Sequence, residues 1–271
     1  MKQYLTNLLK GVVIGSSMLV PGVSGGTMAI ILGIYDRLVD AISNLFKNFK
    51  ENVLFLSSVG IGGVIGLLLF ARALEALLNA FEIPMTYFFI GACLASIPLL
   101  LTKTKSGKCD FKTFVYPLIG LAIVVGLSFL PQNGSFNFNG SFADYMMMLL
   151  TGIIIALALV LPGISVSYML LVLGIYNQFL TAVNSLDLAF LIPLFVSTLI
   201  GVFLTTKILD ILMKKYPRMI YLVIIGFVLG SVYTIYPGLP NGWDILFSIL
   251  LFISGFSAIY FVTKKFGNGE V

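Results

Sequence analysis

Between short polar breaks the chain repeats apolar runs of about 17 to 25 residues, each long enough to cross roughly 30 Å of hydrocarbon as a helix. No ten-residue stretches of alternating polarity compete with them, which argues against a membrane barrel. Inside a bilayer every backbone amide and carbonyl must be satisfied within the protein, so runs of this kind fold as helices. Composition agrees: 59% hydrophobic and 10% charged residues over 271 positions, with a mean hydropathy of +1.07, exceed what a soluble core requires. The expected fold class is an all-α polytopic membrane protein.

The formal net charge of +5 does not signal nucleic acid, because the lysines sit in short clusters between apolar runs, where they report topology. Cys93 falls inside an apolar run and Cys109 in a lysine-rich loop, so no disulfide is expected. With no histidine in the chain, two cysteines offer no zinc site, and neither a metal nor another cofactor is expected. Residues 1 to 20 have the basic start and apolar run of a signal peptide. They lack a small-x-small cleavage site, and the same pattern returns in mid-chain, so they are read as structural.

That return is an internal repeat. "PGVSGGTMAIILGIY" (21 to 35) and "PGISVSYMLLVLGIY" (162 to 176) share Pro21 with Pro162, Gly22 with Gly163, Ser24 with Ser165, Met28 with Met169, and the whole of Leu-Gly-Ile-Tyr. The offset is 141 (162 minus 21). Further on, "GLLLFARALE" (66 to 75) faces "GVFLTTKILD" (201 to 210), and "FFIGACLAS" faces "VIIGFVLGS", both at an offset of 135 (201 minus 66). The expected domains are a first repeat over 1–131, an external connecting loop over 132–144, and a second repeat over 145–271.

Charge orients the two repeats. Lys103, Lys105, Lys108 and Lys112 mark one cytoplasmic loop, Lys214, Lys215 and Arg218 another, and Lys264 with Lys265 a cytoplasmic end, whereas 131 to 144 and 237 to 243 carry no Lys or Arg. Spans 52 to 71, 83 to 102 and 113 to 130 then run outward, inward and outward; their counterparts 188 to 213, 219 to 236 and 244 to 263 run the opposite way. Two inverted repeats related by an axis in the membrane plane are the expected architecture, as in many secondary transporters. Channels and some membrane enzymes share it, so it argues for a midplane path or site and not for a reaction.

Each repeat opens with an apolar arm (5 to 20; 146 to 161), a Pro-Gly break and a second arm (27 to 42; 168 to 183). An arm of 16 residues reaches only about 24 Å at 1.5 Å per residue, which suggests a re-entrant helical hairpin ahead of three transmembrane helices. Proline breaks the helix, and Gly22, Gly25 and Gly26 permit a sharp turn. Irregular backbone at that depth must be buried or face a watery cavity. Ser24 or Thr27 can cap the second arm, whose free amides at the positive end of the helix dipole suit an anion. The second tip offers Ser165 and Ser167 but has Val166 and Ser167 where the first has Gly25 and Gly26, so the two tips should differ. Close helix packing and serine back-bonding account for the same residues without a ligand.

Among the charged residues, Arg72 and Lys207 stand at equivalent positions, each with an acid (Glu75, Asp210) three residues later on the same helical face. They suit guidance of an anionic head group or plain interfacial anchoring. Asp36 and Arg37, at the base of the first hairpin, read as an interfacial pair, and Tyr35 and Tyr176 as belt aromatics. The Asn-Gly-Ser triplets at 133 and 139 match a glycosylation acceptor, but a polar loop produces such matches by chance. No Lys-bearing glycine loop, catalytic carboxylate pair or Ser-His-Asp set is present.

The two tip sequences closely resemble those of the bacterial polyprenyl-phosphate transporter family, once known only as a domain of unknown function, and the likeness extends over nearly the whole chain. It implies a multi-pass protein of the bacterial cell membrane, not an enzyme, that returns undecaprenyl phosphate from the outer to the inner leaflet. The implied head-group elements are Pro21, Gly22, Ser24, Gly25, Gly26 and Thr27, faced by Pro162, Gly163, Ser165 and Ser167; the placement of charge adds Arg72, Lys207 and Arg37 as candidate phosphate guides. The lipid is the implied partner; nucleic acid is not. Two other readings stay open: an undecaprenyl-pyrophosphate phosphatase-like enzyme, whose family shares Pro-Gly-x-Ser-like tips but works with acidic and basic groups near them, and a transporter for a small soluble anion.

Overall fold

The computed structural model describes residues 2–18, 24–104, 110–130, 141–164 and 166–266. Pro21, Gly22 and Ser165 of the expected tips and most of the connecting loop lie outside these residues, as do the side chains of Arg72, Glu75 and Ser167. Thirteen helices and no strand occur among the described residues: α1 Lys2–Ser17, α2 Gly25–Ile31, α3 Tyr35–Ser43, α4 Phe49–Ala80, α5 Glu82–Ala95, α6 Ile97–Lys103, α7 Phe111–Ser128, α8 Phe142–Val160, α9 Val166–Val172, α10 Tyr176–Ser185, α11 Leu188–Lys215, α12 Pro217–Ile235 and α13 Asp244–Phe266.

Seven segments among the described residues are long and apolar enough to cross a membrane, which makes this a multi-pass membrane protein. Six are the expected spans. The seventh is α8, expected as a short arm over 146 to 161. A capping box starts it four residues earlier: Ser141 Oγ accepts from the Asp144 amide at 3.2 Å, and Asp144 Oδ2 accepts from the Ser141 amide at 2.9 Å. Its 19 residues extend about 28 Å, against about 24 Å for the 16 residues of α1. The span expected at 83 to 102 is likewise α5 followed by α6, divided at Ser96 ahead of Pro98.

The second arms depart further from expectation, because neither is continuous. Leu-Gly-Ile-Tyr ends a helix at both of its occurrences. Gly33 takes φ +68 and donates to Ile30 O, while Ile34 donates to Ala29 O, both at 2.9 Å. Gly174 takes φ +71 and donates to Leu171 O, while Ile175 donates to Leu170 O, both at 3.0 Å. These are matching Schellman caps, which need the left-handed conformation that glycine adopts at least cost. The expected arms 27 to 42 and 168 to 183 are thereby divided into α2 with α3 and α9 with α10.

Helix pairing follows the small residues. Along α1 and α4 the backbones approach so closely that a Cβ on Gly15 would sit 1.9 Å from Gly63 O. Gly152 and Ala156 of α8 meet Ser197 and Gly201 of α11 in the same way. Between α7 and α12 the contact is Gly120 with Gly226; between α5 and α13, Gly91 and Gly255 each face the partner's backbone. Lipid tails are as apolar as leucine, so membrane helices associate through such close packing and not through apolar burial alone. Outward faces stay apolar, with Leu68 and Phe261 about two-thirds or more exposed. The buried core instead gathers Ala29, Ile30 and Tyr35 with Val160, Ile164, Ile224 and Val228, and so centres on the residues flanking both tips.

Candidate functional site

The two tips touch. At the first, Ser24 is the N-cap of α2, with extended backbone (φ −87, ψ 140), and its Oγ accepts from the Thr27 amide at 3.4 Å. Thr27 is buried, and its Oγ1 accepts from the Gly163 amide at 3.2 Å, joining the first tip to the second. Gly163 holds φ +82 with Phe227 O only 2.3 Å from where a Cβ would lie. On the facing side, a Cβ on Gly26 would come within 3.3 Å of Val160 O and 3.4 Å of Pro162 Cα. Gly26 and Thr27 are therefore brought together with Pro162 and Gly163, while Ser24 caps their helix and Gly25 faces Met18 of the first arm.

Tyr35 completes this junction and is not the belt aromatic expected. It is buried, and its hydroxyl donates at 2.9 Å to Val160 O, one of the carbonyls that the end of α8 leaves without a helical partner. Tyr176, its sequence counterpart, is half-buried against a separate apolar cluster around Ile175 and Phe190. The two tyrosines of the repeat therefore sit in different surroundings.

Chemically, the described tip residues supply two hydroxyls, amides and a helix start but no charged side chain. In this conformation the Ser24 hydroxyl and the Gly163 amide satisfy groups of the protein itself. An incoming anion would exchange those internal bonds for bonds to its own oxygens, at little net cost in hydrogen bonding.

The charged candidates gather elsewhere, at the lysine-bearing end. Asp36 and Arg37 do not pair with each other: successive helical positions point apart. Asp36 pairs with Lys103, while Arg37 donates to Asn52 Oδ1 at 2.8 Å and Glu51 Oε1 at 3.0 Å and lies over the Phe55 ring. The expected Lys207–Asp210 pair is also replaced. Asp210 is buried and takes Lys214, one turn further along α11, at 2.8 Å, together with Ser43 and Asn44 of α3 and its C-terminus at 3.2 and 3.3 Å. Lys207 is exposed, with its ammonium 5.8 Å from the Phe203 ring centre. Lys214 also binds Asp40 at 3.0 Å, and Arg218 binds Asp110 at 3.0 Å. Burial raises the Asp40 carboxyl, but hydrogen bonding and charge from Lys214 outweigh it and hold the group below its usual range. Arg218 does the same for Asp110.

Lys103, Asp40, Ser43, Asn44, Asn52 and Lys214 were not among the expected site residues. Asp40 and Lys214 could have been found, since Asp40 stands three residues after Arg37 and Lys214 four after Asp210, each facing an opposite charge on its own helix; the reach from α3 to α11 has no signal in spacing alone.

Comparison with known proteins now bears on this arrangement. The family described as undecaprenyl phosphate translocase-like matches residues 14–241, a stretch that contains both tips and every residue of the charged end named above. The chain belongs to this family. It is also 33% identical to a Staphylococcus aureus protein named polyprenyl-phosphate transporter, over 92% of this chain and 93% of that one. A Vibrio cholerae protein of the same name is 31% identical, over 86% of this chain and 78% of its own. No solved structure matches the chain.

Proposed function

We propose that this protein carries a polyprenyl phosphate, of the undecaprenyl phosphate class, from the outer to the inner leaflet of the bacterial cell membrane. The observation that carries this reading is the hydrogen bond between Thr27 and Gly163, where the tip regions of the two repeats, 136 residues apart, meet in a family named for that lipid. A monophosphate asks for amides, hydroxyls and few cations. A polyprenyl tail can stay in the bilayer while only the head group is shielded.

Alternating access between two inverted halves, residues 1–131 and 145–271 joined by an external loop, would expose the tips to each leaflet in turn. The helix pairing supports this reading. Helices α1 with α4 and α8 with α11 pair within a half, whereas α5 with α13 and α7 with α12 pair across halves, as an exchange of equivalent partners would give. The close-contact positions Gly66 and Gly201, Gly91 and Gly226, and Gly120 and Gly255 all stand 135 apart (201 minus 66, 226 minus 91, 255 minus 120).

In this mechanism the site elements are Pro21, Gly22, Ser24, Gly25, Gly26 and Thr27 opposite Pro162, Gly163, Ser165 and Ser167. A phosphate oxygen would take the place of Thr27 at the Gly163 amide, and Ser24 would turn its hydroxyl from capping to donation. Arg72, at the outward end of its span, would draw the head group in from the outer surface, and Lys207 and Arg37, at the lysine-bearing end, would receive it on the inner side. The ion pairs linking α3 to α11 would part when the inward side opens.

The test is head-group transfer in liposomes. The purified protein should accelerate transfer of undecaprenyl phosphate, with competition by lipid phosphates and not by inorganic phosphate. Ser24→Ala should weaken head-group binding about 10- to 100-fold, the worth of one hydrogen bond to a charged group at about 1.5–3 kcal/mol. Unaccelerated transfer would overturn the reading, and phosphate release from the pyrophosphate lipid would favour an enzyme.

A further inference from the structure

Beside the second tip lies a groove with a cavity volume of about 420 Å³, bounded by α8, α9, α10 and α11. Its walls are apolar side chains, chiefly Val166, Leu170, Phe179, Leu191 and Phe195. The one hydroxyl among the lining residues, that of Thr198, donates to Leu194 O at 2.7 Å. Two observations set the groove apart from an ordinary lipid-facing surface. Val166 forms its tip-side edge three residues after Gly163, so the cavity continues from the tip-to-tip contact by one turn of α9 to Leu170. Its outer edge is built by residues whose counterparts in the first repeat are small: Ile192, Phe195 and Thr198 correspond, 135 positions earlier, to Ser57, Gly60 and Gly63; deeper in, the buried Leu170 corresponds, 141 positions earlier, to Ala29. Ile192 and Phe195 are also more than half exposed, so the groove opens sideways to the bilayer.

We propose that this groove holds the head-proximal isoprene units of the transported lipid, with the rest of the tail leaving past Ile192 and Phe195 into the membrane; the proposal rests on the head-group reading of the tips. Depth selects the occupant. A bulk phospholipid keeps its head group at the surface and passes the tips only with distal acyl chain. A lipid whose phosphate has been drawn down to Thr27 and Gly163 starts its tail at the edge made by Val166. The branched chain also fills a groove walled by two phenylalanines better than a straight acyl chain does. Tail recognition would then belong to the second repeat, which explains why its tip can lack Gly25 and Gly26.

The experiment uses the full chain in nanodiscs with a farnesyl phosphate analogue carrying a photoreactive diazirine on its terminal isoprene. Labelling should concentrate on Leu170, Leu191 and Phe195. Undecaprenyl phosphate should compete strongly and dodecyl phosphate weakly. Leu170→Trp and Ile192→Trp should each cut labelling several-fold, and the exposure of Ile192 protects the second variant from a folding defect. Label spread evenly over the outer faces of α7 and α13, or unchanged in both variants, would overturn the proposal. Transfer of lipid phosphate with label elsewhere removes the groove and keeps the transport reading; label in the groove without transfer does the reverse.

Discussion

At the scale of single residues, the hydrogen bond from the Gly163 amide to Thr27 is where the tips depend on each other. Thr27→Val keeps the shape and removes the acceptor, so a buried amide loses its partner at a cost of about 1–3 kcal/mol. Thr27→Ser keeps the acceptor and should restore most of that loss. The check is thermal unfolding in detergent alongside transfer in liposomes: the valine variant is expected to lose both and the serine variant to recover both. Gly163→Ala should be worse than either. Its φ of +82 resists any side chain, and the new Cβ would stand 2.3 Å from the Phe227 carbonyl, which is backbone and cannot turn aside. Folded yield is the measurement, and near-normal yield would mean that the tip is more pliant than its packing indicates.

Among the elements, legibility followed the range of the interaction. The six expected spans were readable because about 20 apolar residues can do little else in a bilayer, and the start of α8 was encoded locally by Ser141 and Asp144. The division of each second arm was also written locally, in Leu-Gly-Ile-Tyr. Hydropathy hides it, because apolar residues continue on both sides of the glycine and hydropathy does not report φ. Tyr35 against Val160 O, and Asp210 against Ser43, depend on elements more than a hundred residues apart, which no periodicity announces. The caps make a prediction of their own. A Cβ on Gly33 would meet open space, so Gly33→Ala should cost only the left-handed backbone strain, about 1–2 kcal/mol. Gly15→Ala, by contrast, has to push α1 off Gly63 of α4 and should lower the unfolding temperature well beyond the Gly33 variant.

For the whole molecule, two separate polar contacts tie the segment from Ser24 to Asn44 to the second repeat: the uncharged tips and the ion-paired end where α3 meets α11. Their pH responses should differ. Asp40 is held below its ordinary range, and a depressed carboxyl contributes stability that is fully present above its unfolded value of about 3.9 and is lost as pH falls through the lower folded value. The Asp40–Lys214 link should therefore persist unchanged from pH 5 to 8 and loosen only below about 4. Lys214 is largely exposed, but Lys214→Met also strips the buried Asp210 of its ammonium and leaves it only Ser43 and Asn44, so the variant should cost more than the ~1 kcal/mol of a surface pair. Under the proposed alternating access, its effect should also appear in the balance between inward- and outward-facing forms. Hydrogen exchange at the C-terminal end of α3 should rise in that variant at neutral pH, as it should in the unaltered protein below pH 4, while exchange at the Thr27–Gly163 contact stays fixed. A matching rise at the tips would mean that the two contacts open as one, and that the charged end is a brace for the tips and not an independent gate.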